Sequence, residues 1–510
     1  MSRVHLTRRE LVASAAATGA LAALPPAWGR ELLSRRPRVG PGEFLDGVAS
    51  GEPGPTAATF WSRLDTHRPR SGARLVIARD EGMRRVVATT IVPTGAGVNG
   101  TLKARVGGLR PDREYFYVWE SGTGVSPIGR TRTAPPRDSN RGLRIGFSSC
   151  QQYAVGYYGA HAHAASIPDL DLYVFLGDYI YEHGNPRGPD MRRDRIDAVD
   201  LGTYRRKYAL YRSDPALREL HRVHPSVHVW DDHEIENNYS DNNPAPAPVH
   251  RAGAYRAATE WLPRMSPTRE RHRIYQKLSF GRVADVFMLD ERQYRTGDRD
   301  GQPRRILGDA QMNWLIQGLK ESSATWKVIA QQVVVATIYT STGGVNRDAW
   351  DGYPEDRARL LGEIERAGIP NVVFLSGDAH VFEANLLSSD FESFGDGSGR
   401  RAAATEYVGG SVTSLSAGRA EAEIQARAPW NRQYNGQAHG YAAMTLAHDQ
   451  LVTEYLGSDT ARPDGGTVPI ERFFQPAGAN NMQRESLSSG PPPPPPPPDQ
   501  PPGDPGDPGI

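Results

Sequence analysis

Five short apolar runs between residues 143 and 380 each stop at side chains that can hold a metal ion. "LRIGFSSC" ends at Cys150, "LYVFLGD" at Asp178, "VHVWDDHE" at Asp231 to Glu234, "ADVFMLD" at Asp290 and "NVVFLSGDAH" at Asp378 and His380. Tyr181 follows Asp178 by three residues, near enough to set a phenol beside the carboxylate. A buried carboxylate without a positive partner raises its own pKa or destabilises the fold. Several carboxylates and a thiol gathered at one point need more counter-charge than one arginine gives, and a cluster of multivalent cations meets that need. Phenolate with thiolate favours iron, whereas carboxylates and carboxamides suit calcium. Mixed ligands imply mixed metals.

Each residue also has an ordinary use. Asp178 can cap a helix, Cys150 can be a small core hydrophobe, and His380 can be a hydrogen-bonded core histidine. Tyr179 and Tyr181 are equally good packing aromatics, and Asn237 and Asn238 equally good turn residues. Arg292 and Arg295 either clamp a phosphate or pair with Asp290 and Glu291. Asp290 is not counted as a ligand. The repetition of polar groups at five strand ends favours the metal reading over these uses taken one by one.

The elements that must bring these side chains together alternate strand and helix from Leu143 onward. In layered α/β folds the carboxyl ends of strands border the ligand crevice, so tips far apart in sequence can converge. Before that point, residues 41–136 read as all-β. The runs "ATFWSRL", "ARLVIARD", "RVVATTIV" and "REYFYVWE" are separated by Gly, Pro and Asp clusters at the spacing of an immunoglobulin-like or fibronectin-like sandwich. The catalytic domain is expected over 142–465, and a Pro-rich tail without a core over 476–510.

The chain has 510 residues, enough for two or three domains. Its 60 basic and 59 acidic side chains nearly cancel, which argues against a surface built for nucleic acid. Cys150 is the one cysteine, so no intramolecular disulfide forms. At the start, Arg8 and Arg9 precede an Ala-rich stretch from Leu11 to Leu24, too short to span a bilayer of about 30 Å. Small residues Ala27 and Gly29 follow, so residues 1–29 read as a twin-arginine signal peptide that is cut after Gly29. The Tat machinery is then an expected partner, and the destination is secreted or periplasmic. No later segment is expected to cross a membrane.

In order along the chain, "RRELVAS", "GVASGEPGPTAATFWSRL", "FSSCQQ", "FLGDYIYE", "VWDDHEIENNY", "MLDERQYR", "WDGYPEDR" and "FLSGDAH" resemble the landmarks of PhoD-type alkaline phosphatases, exported phosphodiesterases related to the purple acid phosphatases. The resemblance runs to about residue 460. It implies an α/β catalytic domain of two sheets packed between helices, an Fe3+ and Ca2+ centre, and hydrolysis of phosphate mono- and diesters by in-line attack of a metal-activated hydroxide. Carried over residue by residue, it implies that Asp178 bridges metals, that Cys150 and Tyr181 hold iron, and that Asp378 and His380 close the ligand set. Asp232 stands where the wider metallophosphoesterase pattern has Asn, and His233 where that pattern has the His facing the leaving group. His233 is then the expected acid, Asn238 is expected beside it in the catalytic set, and Arg292 is the expected substrate contact. The alternatives are a phospholipase D-like hydrolase of lipid diesters on the same fold, a thiol hydrolase with Cys150 as nucleophile, and a non-catalytic surface protein.

Overall fold

The run Leu143–Ser148 is buried over nearly its whole length and forms a strand flanked on both sides. Leu172–Phe175 pairs with it in parallel, and His439–Leu446 pairs with it antiparallel. In this computed structural model the described residues are 38–185, 192–239, 248–265, 272–296, 304–339, 344–391, 402–416 and 421–487. The signal segment 1–29 lies outside them. Among the described residues no helix is long and apolar enough to cross a membrane.

The chain divides into two units. One comprises the chain up to Pro136 with His221–Val227 and Thr259–His272; the other comprises Arg137–Leu220, His228–Ala258 and Arg273 onward.

The first unit is a β-sandwich. One sheet runs Val86–Thr94, Ser71–Ala78, Glu114–Glu120 and Gly129–Arg132. Opposite it, Ala57–Arg63 lies between Val48–Gly51 and Thr101–Gly107, with antiparallel pairing throughout. Alternating residues of both sheets meet inside: Phe60, Leu75, Ile77, Leu102, Tyr117 and Trp119 share one buried cluster. Phe60 and Tyr117 meet edge to face at 4.9 Å. Pairing at the edge adds a later stretch, because Ser50 and Gly51 pair in parallel with Pro225 and Ser226. The sequence pattern over 41–136 could not show this insertion.

The second unit carries two sheets. The first has the order Gln483–Ser486, Thr467–Pro476, Gln450–Ser458, His439–Leu446, Leu143–Ser148, Leu172–Phe175. The second runs Gln276–Phe280, Ala284–Met288, Trp326–Ala330, Val372–Ser376, Ala404–Gly409, Phe382–Leu387, Asn431–Asn435, with the three pairings among its strands from Ala284 to Gly409 parallel and the flanking ones antiparallel. These parallel strands are wholly buried, as near-continuous apolar runs demand. Phe382 and Tyr407 of the second sheet pack on Tyr455 and Phe473 of the first, with ring centres 5.0 and 5.8 Å apart. Helices cover the outside. Leu201–Arg212 begins at a capping box made by Asp200 and Thr203, and Pro354–Arg366 begins with proline in its first turn.

The far boundary differs from the sequence reading. Thr467–Pro476 and Gln483–Ser486 are strands of the first sheet, so that sheet passes residue 465 and enters the stretch read as tail. Pairing with Gln450–Ser458 fixes the first of them, and pairing with the first fixes the second. Residues 488–510, with the proline run, lie outside the described residues.

Candidate functional site

The tips of the strands do converge. Leu143–Ser148 delivers Cys150, Leu172–Phe175 delivers Asp178 and Tyr181, and Val372–Ser376 delivers Asp378 and His380. Two backbone hydrogen bonds lock the first two tips together, from Cys150 N to the Gly177 carbonyl at 3.3 Å and from Gln151 N to the Asp178 carbonyl at 3.2 Å.

Close approach is bought with glycine and strain. Gly177 lies at φ 113°, and a Cβ there would sit 2.4 Å from the Asp231 Cβ. A Cβ on Gly377 would meet the Ser149 Cβ at 2.7 Å. Among the described residues ten non-glycine residues have positive φ, and five of them are Cys150, Asp178, Asn238, Asp378 and His380. The left-handed region costs roughly 1–2 kcal/mol for such residues, so this concentration marks a place where geometry is enforced against local preference.

Three groups of side chains are close enough to share an ion. Cys150, Asp178 and His380 form one, Asp178, Asp232 and His233 a second, and Asp231, Asp232 and Asp378 a third, with ligand atoms within 4.8 Å inside each group. Asp178 belongs to the first two groups and Asp232 to the last two. Tyr181 joins the first: its hydroxyl donates to Asp178 Oδ2 at 3.0 Å and lies 3.3 Å from His380 Nε2. His380 Nδ1 faces the Leu415 carbonyl at 2.7 Å, which puts the proton on Nδ1 and leaves Nε2 with its lone pair toward the cluster. Asp178 Oδ1 is buried and has no donor among the described residues. An orphaned anionic oxygen beside a thiol, a phenol and an imidazole lone pair fits a transition-metal ion.

Electrostatics give the same answer. Burial, together with the Asp232, Asp231 and Glu234 carboxylates, pushes Asp178 well above the usual carboxylate range. Burial and the Asp178 charge likewise push up the Cys150 thiol and the Tyr181 phenol. A nucleophilic thiol needs the opposite shift, which removes the ground for the thiol-hydrolase alternative. Asp378 is raised by burial and by Asp231.

Asp232 behaves differently. Burial opposes it, but Arg292 and His233 hold its carboxyl below the ordinary range. Its oxygens accept from the backbone of His233 at 2.9 Å and of Asn238 at 2.6 Å. The Asn238 side chain has no hydrogen bond to a described residue, so its amide is available to a ligand.

Arg292 departs from expectation. Its side chain has no exposed surface, so it is no phosphate clamp at the mouth, nor does its guanidinium pair with Asp290 and Glu291. Nε bonds Asp231, one Nη lies 2.8 Å from Asp348, and the other lies 3.6 Å from Asp232 and 3.7 Å from Asp378. It is the internal counter-ion of the acidic cluster. Arg295 extends the ladder by pairing with Asp348 at 2.6 Å. Asp290 accepts from the backbone of Arg292 and Gln293, a turn-capping use consistent with its exclusion from the ligands.

His233 Nδ1 bonds Glu182 Oε2 at 2.8 Å, and Glu182 Oε1 accepts from Asn237 N at the same distance. Against the cost of burial, Glu182, Asp178 and Asp232 hold the imidazolium pKa well above its ordinary value. The ring stacks on Tyr181 with centres 4.1 Å apart. Tyr179, by contrast, is a packing aromatic against Phe175, His228 and Tyr208.

Sequence reasoning named Asp231 and Glu234 within one strand end but gave neither a role of its own, and it missed Asp348, Glu182 and Ser414. Glu234 accepts from the backbone N–H groups of Asp178, Tyr179 and Asp231, tying two strand ends together. The double acid "DDHE" was the available signal for Asp231. Nothing local marks Asp348 or Ser414.

Sequence comparison agrees with this geometry. A profile described as PhoD-like phosphatase matches residues 145–455, and its N-terminal companion domain matches residues 31–135. The chain belongs to the PhoD-like phosphatase family. Membership places it among the phosphoric ester hydrolases. It is 32% identical to alkaline phosphatase D of Bacillus subtilis (strain 168) over 472 residues, covering 84% of this chain and 80% of that protein. A solved structure of PhoD superposes with a TM-score of 0.82 at 30% identity, covering 89% of this chain and 94% of that one. Purple acid phosphatase PPD1 from yellow lupin (Lupinus luteus) seeds gives a TM-score of 0.57 at 12% identity over 86% of this chain and 75% of that one, a likeness of fold.

Proposed function

We propose that this PhoD-like phosphatase hydrolyses phosphate mono- and diesters at a mixed centre of Fe3+ and Ca2+, outside the cytoplasm. The observation that carries the reading is the run of three adjoining ligand groups joined through Asp178 and Asp232. Cys150, Tyr181 and His380, with the shared Asp178 carboxylate, offer the thiolate, phenolate and imidazole set that suits iron, and the carboxylates of Asp232 and Asp378, with the Asn238 amide nearby, suit calcium. When bound, such cations supply Lewis acidity and an acidified water for attack on phosphorus.

The chain's own residues do the rest. Arg292 keeps Asp231 and Asp232 ionised and aligned. Glu182 fixes His233 through Nδ1, which leaves Nε2 to hold a proton for a departing alkoxide. The Asn238 amide, unbonded among the described residues, would donate to a phosphoryl oxygen. Export rests on Arg8, Arg9 and the apolar stretch behind them. Export of folded protein through the Tat machinery fits a chain that acquires its ions first.

The test is metal analysis of purified protein beside release of nitrophenol from 4-nitrophenyl phosphate and bis(4-nitrophenyl) phosphate. Iron and calcium with chelator-sensitive turnover of either ester support the reading. Undiminished turnover in protein stripped of both ions overturns it.

A further inference from the structure

We infer that Ser414 is a positioning residue for Tyr181, supplying the hydrogen bond that holds and tunes its oxygen as an iron ligand; this rests on the iron reading above. The argument is a count of protons. The Ser414 hydroxyl lies 2.7 Å from the Tyr181 oxygen and 3.0 Å from the Cys150 carbonyl, and it has one proton to give. The Cys150 carbonyl already receives two backbone donors, Ser414 N at 3.2 Å and Thr413 N at 3.3 Å, one for each lone pair. The hydroxyl proton therefore belongs to Tyr181.

Other neighbours cannot take over that task. Tyr181 directs its own proton to Asp178 Oδ2, and a ligating phenolate no longer has it. His380 carries its proton on Nδ1, toward Leu415, so its Nε2 presents a lone pair. Among the described residues Ser414 is then the donor left to the phenolate oxygen. Its backbone N–H and its hydroxyl also join the Cys150 and Tyr181 tips into one unit, so the two anionic donors are held in a fixed relation.

A hydrogen bond to a phenolate stabilises the oxygen lone pairs and raises the energy of phenolate-to-iron charge transfer. The test compares the visible band of iron-loaded wild type, Ser414→Ala and Ser414→Thr, with iron content measured in parallel. The alanine variant is expected to absorb at longer wavelength, and the threonine variant, which keeps the hydroxyl, at the wild-type position. In wild type, resonance Raman spectra should show the phenolate C–O stretch shifting between H2O and D2O, a measurement that needs no variant. A coloured wild type whose band ignores the alanine substitution, or whose C–O stretch ignores D2O, overturns the role of Ser414 alone. A wild type that binds iron yet shows no such band overturns the iron-phenolate reading, and this inference with it.

Discussion

The two sides of the acidic cluster solve the same problem differently. On one side Asp231, Asp232 and Asp348 surround the Arg292 guanidinium, and Arg295 stands behind it. On the other, Cys150, Asp178 and Tyr181 sit together with a buried carboxylate oxygen that has no donor among the described residues. On the first side Arg292 holds Asp232 below its ordinary pKa and works against the burial that pushes Asp231 up to about 6, while on the second all three groups are pushed well above their ordinary values. A protein side chain can therefore neutralise part of the pocket, and the remainder is where charge from outside the chain is required. The contrast separates residues that build the site from residues that load it.

The largest effect should come from the unneutralised side. Asp178→Asn removes the anion shared by two ligand groups, so metal content should fall and turnover of bis(4-nitrophenyl) phosphate should drop about 10³-fold, equivalent to the several kcal/mol that Lewis-acid stabilisation supplies. Full metal content with normal turnover would break the comparison. On the neutralised side Arg292→Met strands a buried Asp231, and denaturant titration should show a loss of about 3–5 kcal/mol. Adding Asp231→Asn should recover part of that loss; a double variant no better than the single one would show that the pair is not coupled.

Glu182→Gln tests the proton path that runs beside both sides. It should slow esters with poor leaving groups about 10–100-fold while nitrophenyl esters lose much less, because a good leaving group needs no proton. Equal losses for both would assign Glu182 a structural role.

A pH-dependent effect concerns a buried cation without a surrounding ring of carboxylates. Lys103 in the β-sandwich bonds the Thr259 carbonyl, and burial lowers its pKa to about 7 although Glu52 and Glu260 pull it upward. Between pH 7 and the ordinary value of 10.5 the unfolded chain holds a proton that the folded one has released. Stability should therefore rise with pH across that window by about 1.4 kcal/mol per unit, with no such gain below pH 7. Lys103→Met should remove this slope, which chemical unfolding at several pH values would reveal.

Sequence reading succeeded where chemistry and secondary structure coincide. Apolar runs that stop at Cys150, Asp178, Asp232, Asp378 and His380 announce strand ends, and strand ends in layered sheets share a crevice. The same logic misplaced Arg292, because a cation next to a strand end looks alike whether it faces solvent or four carboxylates. Asp348 and Ser414 act through contacts with partners dozens to hundreds of residues away, and no local pattern encodes such a contact. The strand Gln483–Ser486 was hidden for a related reason: an edge strand completed by pairing needs few apolar side chains of its own.

The backbone bond from Ser414 N to the Cys150 carbonyl spans 264 residues of chain. At about 5–20 residues per second, synthesis of that interval takes roughly 13–50 s. Throughout that time the thiol emerges from the ribosome without the loop that will enclose it. A nascent chain halted before Ser414 has no finished cage, so ion capture is a late event in the life of each molecule, after nearly the whole polypeptide exists.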